Sequence, residues 1–158
     1  MARLPYDQRP YRPSVGIFLI NKDKQVFVGR RLDSSAEAWQ MPQGGIDPGE
    51  SNLEACLREM NEEIGTNTAE LLSEHDDWLY YDIPQPLADR LWRGKFKGQK
   101  QKWMALQFTG NDADIDIHTS EPEFCEWRWL TPQELVNVAV PFKRDVYRDV
   151  LRCFEKFV

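Results

Sequence analysis

The residues most able to do chemistry lie in GGIDPGESNLEACLREMNEEIGT, residues 44–66, where Glu59, Glu62 and Glu63 crowd together beside Arg58. Placed at helical spacing, the three carboxylates project from one flank. Leu53, Cys56, Leu57, Met60 and Ile64 form an apolar stripe on another. Like charges three and four apart repel by about 0.2–0.5 kcal/mol per pair. Carboxylates held this way suit a hard, oxygen-seeking cation. Mg²⁺ fits best, since it accepts a few carboxylates and completes its shell with water and phosphate oxygens; Mn²⁺ or another divalent cation is the variant of the same reading. The competing reading is a solvated acidic face held by an Arg58–Glu62 pair.

Other chemistries find little support. His75 and His118 are far apart, and Cys56, Cys125 and Cys153 form no Cys-x-x-Cys pair, so neither a His-based cage nor a nucleophile–His triad is indicated. The 158 residues fit one domain, 1–158, with residues 1–11 expected as an extended arm because of Pro5 and Pro10. A net charge of −6 argues against broad nucleic-acid binding, and no DNA partner is expected. The basic run RLWRGKFKGQKQK, residues 90–102, stands out against that charge. It reads as a solvated face or as an anion-attracting rim. No apolar run is long enough for a membrane span or a signal peptide, so no membrane partner and a cytoplasmic location are expected.

Several elements must position these groups. SVGIFLI (14–20) and QVFVGRR (25–31) flank the polar turn NKDK and read as a hairpin. AWQMPQGG (38–45) is expected to be a short strand entering a Gly-rich loop. Ser51 and Glu54 make a capping box that starts a helix over 51–65, and Gly65 stops it. HDDWLYYDI (75–83), QKWMALQFTG (101–110) and EFCEWRWL (123–130) read as strands, the faces of the last being unassignable. Thr131 is expected to cap a short helix, and 141–157 to form an amphipathic helix with Val146, Val150, Cys153, Phe154 and Phe157 inward. The pattern predicts an α+β, α/β/α layered domain with a mixed sheet.

Gly44, Glu50, Arg58, Glu59, Glu62, Glu63 and Gly65 resemble the Nudix box, G-x5-E-x7-R-E-U-x-E-E-x-G-U, with Met60 as the first apolar U. The one departure is Thr66 at the last U, beyond the helix end. YRPSVGI, WQMPQGGIDPGE, GQKQKW, PEF, WRW and PFKRDVYRDV extend the resemblance, from about Tyr11 to Val150, to the RNA pyrophosphohydrolase and dinucleoside polyphosphate hydrolase branch of that family. The resemblance implies the Nudix α/β/α sandwich with a mixed central sheet. It also implies water attack within a nucleoside-linked polyphosphate, which needs charge neutralisation, a positioned water and a base.

By that resemblance Glu62 and Glu63 are direct metal ligands, and Glu59 is a ligand and candidate general base, kept ionised by cations. Gly44 lets backbone approach the metal, and Glu123 supplies a further carboxylate, its plainer reading being an edge-strand surface residue. Arg58 braces the loop–helix unit by pairing with Glu50. Arg12, Arg31, Lys100, Lys102, Lys143 and Arg144 match phosphate-holding positions. Phe142 matches a base-stacking position, although an aromatic before an amphipathic helix reads equally as core. The implied partner is an RNA 5′ end or a dinucleoside polyphosphate. A monomer is expected, with room for a regulatory protein partner; a non-catalytic nucleotide-sensing module is the remote alternative.

Overall fold

A computed structural model describes residues 3–33 and 38–158. The strands are β1 (Tyr11–Ile20), β2 (Val26–Arg31), β3 (Trp39–Gln40), β4 (Gln43–Gly45), β5 (Ala69–Glu74), β6 (Leu79–Asp82), β7 (Gly98–Phe108) and β8 (Phe124–Leu130). The α-helices are α1 (Asn52–Ile64), α2 (Gln85–Ala88), α3 (Leu135–Val138) and α4 (Arg144–Phe154). All eight strands join one mixed sheet. Its main path runs β3-β2-β1-β7-β5; β4 pairs with β1, β6 with β7 and β8 with β2. Among the described strands only β1 and β7 run parallel, in a register that sets Ile17 beside Met104 and Phe18 beside Ala105.

That register explains why the sheet needs cover on both faces. Val15, Ile17 and Leu19 of β1 lie with Met104, Leu106 and Phe108 of β7 against Cys56, Met60 and Ile64 of α1. Phe18 and Ile20 lie with Trp103 and Ala105 against Val146, Tyr147, Val150 and Phe154 of α4. The result is an α/β/α sandwich in which α1 and α4 occupy opposite faces. No helix among the described residues is long and apolar enough to cross a membrane.

The helix bearing the glutamates forms as its sequence dictates. Ser51 Oγ accepts the Glu54 N–H at 3.1 Å, and Glu54 Oε1 accepts the Ser51 N–H at 3.0 Å. Gly65 ends the helix at φ 75°, a left-handed turn that a Cβ would strain.

Elsewhere the structure departs from the sequence pattern. Residues 75–83 are not one strand: β5 ends at Glu74, and β6 begins only at Leu79. The C-terminal helix is α only over 144–154, with single 3-10 turns over 141–143 and 155–157. Thr131 makes no side-chain cap; 132–134 is a 3-10 turn leading into α3. The N-terminal segment is extended at Pro5 and Arg9 but turns once as a 3-10 helix at Tyr6–Gln8. It is also packed down: Arg9 is 3% exposed and pairs with Asp89 at 2.6 Å. Residues 1–2 lie outside the described residues.

Candidate active site

One cleft of about 640 Å³ takes in Glu59, Glu62 and Glu63 of α1, Gly44 and Gly45 of β4, Arg12, Arg31, Glu123, Phe142 and Lys143. β4 delivers the glycines by pairing with β1, Gly44 opposite Val15 and Gly45 opposite Ser14. Neither position has room for a side chain. A Cβ on Gly44 would overlap the Glu59 carboxyl group, and one on Gly45 the Arg12 guanidinium. The chain thus brings a carboxylate and a guanidinium against bare backbone.

Arg58 organises the acidic side. Its Nε and Nη2 donate to the two Glu50 oxygens at 2.7 and 2.9 Å, and Nη2 also donates to the Gly45 carbonyl at 2.8 Å. Its Nη1 reaches Glu59 at 2.8 Å and Glu62 at 3.2 Å. The guanidinium fork therefore ties the Gly-rich loop to the helix and offsets the repulsion among the glutamates. Arg58 holds the Glu50 carboxyl down to about 2.

Glu63 differs from its neighbours. It is 5% exposed, and its Oε2 is buried without a hydrogen-bond partner among the described residues. Burial, then the charges of Glu59 and Glu123, push its carboxyl well above 4.5. Burial also raises the Glu59 carboxyl, with Arg58 pulling the other way. The three carboxylates are not gathered at one point. Among the described residues no three acidic, His or Cys side chains form a ready-made ligand cage, because Arg58 draws Glu59 and Glu62 to itself. A partnerless buried carboxylate oxygen beside two further carboxylates nonetheless has the donor chemistry that a hard divalent cation requires.

The cationic wall is held as firmly. Arg31 grips Asp33 through Nε at 2.8 Å and Nη2 at 2.6 Å, with Glu123 at 3.7 Å. Glu123 sits just before β8, and its carbonyl accepts the Leu32 N–H. Arg12 donates to Gln99 at 3.1 Å and lies 4.7 Å from the Trp92 ring centre. Lys143 is 7% exposed and donates to Gln40 at 3.1 Å. Burial, then the charge of Arg31, lower its ammonium to about 7. Phe142 leans on Tyr81, ring centres 5.9 Å apart and tilted by 33°.

Three basic residues assigned to substrate from the sequence are not in the cleft lining. Lys100 and Lys102 lie beside Pro13 and Val15 in the β1–β7 register, on the side of the sheet that faces α1. There both sit over the Trp78 ring, at 4.7 and 5.1 Å. Strand alternation gives the other side to their neighbours Gln99 and Gln101. Arg144 is turned to the Ala139 carbonyl at 3.0 Å. Conversely, the cleft lining holds polar groups that sequence reasoning passed over: Gln99, which donates to the Tyr81 hydroxyl at 2.6 Å, and Gln43, which accepts from the fully buried Gln101 behind it at 3.1 Å. Glutamines at alternate positions of a strand otherwise buried were the available signal. Trp92, Leu87 and Leu91 on the apolar wall gave none.

A family model described as NUDIX domain matches residues 10–150. The chain is 50% identical over 153 residues to a protein of Rickettsia typhi named RNA pyrophosphohydrolase, covering 97% of this chain and 95% of that one. A protein of the same name from Rickettsia rickettsii is 49% identical over 149 residues, covering 94% and 92%. Among solved structures, Escherichia coli dihydroneopterin triphosphate pyrophosphohydrolase superposes with a TM-score of 0.68 at 18% identity, over 92% of this chain and 99% of that one. A Caenorhabditis elegans Ap4A hydrolase superposes at 0.62 with 16% identity, over 90% and 98%. At such identities these last two speak for the fold alone.

Proposed function

The chain belongs to the Nudix family, and on that premise we propose that it is a Mg²⁺-dependent RNA pyrophosphohydrolase. It would remove diphosphate from 5′-triphosphate ends of RNA by attack of water within the polyphosphate. The observation that carries this reading is the 50% identity to the Rickettsia typhi protein across nearly the whole of both chains.

In this reading Glu59, Glu62 and Glu63, with the Gly44 backbone and Glu123, hold the cation. Bound there, it supplies neutralisation of phosphate charge and a more acidic water. Glu59, whose carboxyl burial lifts above its ordinary value, takes the proton of the attacking water. Arg58 touches no substrate; it fixes Glu59 and the Gly-rich loop. Arg12, Arg31 and Lys143 hold phosphate oxygens, the two guanidiniums being kept in position by Gln99 and Asp33. Phe142, backed by Tyr81, stacks on a base. The P–O bond breaks toward diphosphate, and the RNA leaves with a 5′-monophosphate.

The test is a side-by-side assay with Mg²⁺ on a short 5′-triphosphate RNA, diadenosine tetraphosphate and a free nucleoside triphosphate. The RNA should give the highest kcat/KM, with diphosphate as product. Preference for diadenosine tetraphosphate would shift the substrate to dinucleoside polyphosphates, and cleavage of free nucleotides alone would overturn the RNA reading.

A further inference from the structure

The lysines of the basic run at 90–102 lie outside the cleft, and three of them gather on the reverse side of the same strands. Helix α1 covers that side only from Val15 of β1 and Met104 of β7 onward. Ahead of those residues the register aligns Tyr80, Lys100 and Pro13 across β6, β7 and β1, with Asp82, Gly98 and Tyr11 in the next row. A sheet face left open to water is ordinarily polar. This one is aromatic and basic. Tyr80 is 53% exposed, and Pro13 is exposed beside it. Tyr11 meets Tyr80 edge-on at 5.0 Å and carries the Lys97 ammonium 4.9 Å from its ring centre. Trp78, just ahead of β6, seats the ammonium groups of Lys100 and Lys102 at 4.7 and 5.1 Å.

An ammonium over a ring keeps N–H donors directed away from it. Lys102 gives one of its donors to the Asp76 carbonyl. Two carboxylates of these rows are already bonded: the Tyr11 hydroxyl donates to Asp82 at 2.6 Å, and the Asn52 amide to Glu74 at 3.1 Å. Lysines seated beside an exposed tyrosine suit a strand of phosphates and bases. An acidic peptide would meet the charges but leave the ring unused. The face also lies where such a strand would leave the cleft. Arg12 lines the cleft, while strand alternation turns Tyr11 and Pro13 to the other side. β4 joins β1 only from Ser14, so among the described strands none pairs with the outer edge of residues 11–13. A strand leaving Arg12 has only that edge to cross.

We propose that this open face binds single-stranded RNA, taking nucleotides that follow those held in the cleft. Lys97, Lys100 and Lys102 hold its phosphates, and Tyr80 stacks on a base. The proposal rests on the RNA reading above.

The experiment compares a 5′-triphosphate dinucleotide with an unpaired octamer, each made uncleavable by a methylene bridge, by equilibrium Kd with Mg²⁺ over a salt series. The proteins are wild type, the double variant Lys100→Ala, Lys102→Ala, and Tyr80→Ala; cleavage of the natural RNAs is read alongside. Wild type should bind the octamer about tenfold more tightly. Its log–log salt slope should be steeper than that of the dinucleotide by about 2, for three phosphates. The double variant should lose most of the preference and about 1.4 of the slope. Tyr80→Ala should lose several-fold in preference and keep the slope. Both variants should match wild type on the dinucleotide within about twofold. A wild type indifferent to length, a double variant that keeps the preference, or equal losses on both lengths would overturn the proposal. So would displacement of the octamer by an oligoglutamate peptide as readily as by RNA, which would make the partner an acidic protein. If wild type prefers the octamer yet cleaves neither natural RNA, the catalytic reading fails and the binding face stands.

Discussion

Glu63→Gln is expected to stabilise the cation-free protein while removing its activity. Glu63 is 5% exposed with one oxygen unpartnered, and burial raises its carboxyl well above 4.5. The folded chain therefore keeps a proton that the unfolded chain releases. Cation-free stability is full below about pH 4.5 and is lost as pH rises through the raised value. The loss cannot exceed the cost of retaining the proton, about 1.4 kcal/mol per pH unit. At about pH 7.5 that sets a ceiling of about 4 kcal/mol. The Gln43 N–H and the Arg31 charge already offset part of it. Glutamine, in turn, brings an NH₂ group needing an acceptor. The net gain is then about 1–2 kcal/mol, or about 2–8 °C in melting temperature for a chain of this size. Mg²⁺ at about a hundred times its Kd should add about 2.7 kcal/mol to wild type and much less to the variant. Thermal melting in EDTA and in Mg²⁺, across a pH series, reads both effects, and hydrolysis should fall about 10²- to 10³-fold. The two proteins should thus exchange rank between EDTA and Mg²⁺. A variant that melts below wild type in EDTA at about pH 7.5, or that gains as much from Mg²⁺, would refute the reasoning.

Gly44→Ala should cut kcat by about tenfold or more while leaving the far-UV spectrum intact, because the new Cβ displaces the Glu59 carboxyl rather than the helix. Lys143→Met should flatten stability between about pH 7 and 10.5: the buried amine, lowered to about 7 from 10.5, makes wild type gain stability as pH rises through that window. Melting temperatures over that range would show the slope disappear. The double change Lys100→Ala, Lys102→Ala should alter kcat/KM on a dinucleotide by less than about twofold, since both lysines stand over Trp78. Phe142→Ala should raise KM by about tenfold.

The acidic half of the site was legible because it is local. A capping box, a 3.6-residue stripe and a fixed glutamate spacing all fall within residues 44–66, and the structure reproduces the helix and its Arg58–Glu50 brace. The cationic half was only partly legible because a strand gives alternate residues to opposite faces. Lys100 and Gln99 are one position apart, yet only the register between β1 and β7 decides which one faces the cleft. The wall at 84–94 was least legible. Its form comes from left-handed backbone at Trp92 and Arg93, residue types that no turn rule marks for such a conformation.

That wall has no strand of its own, and residues from the start of the chain tie it in place. The Tyr6 hydroxyl donates to the Ile83 carbonyl at 2.6 Å, Arg9 grips Asp89 at 2.6 Å, and the Pro10 carbonyl accepts the Lys97 N–H at 3.1 Å. Residues 6–10 therefore act as a hasp across both ends of a segment some eighty positions away. Opening the hasp would free the segment as a unit without disturbing the sheet. Amides on both sides should then exchange with solvent at a common rate, slower than the turn alone would allow. The width of the cleft is in this way set partly by residues that never face it.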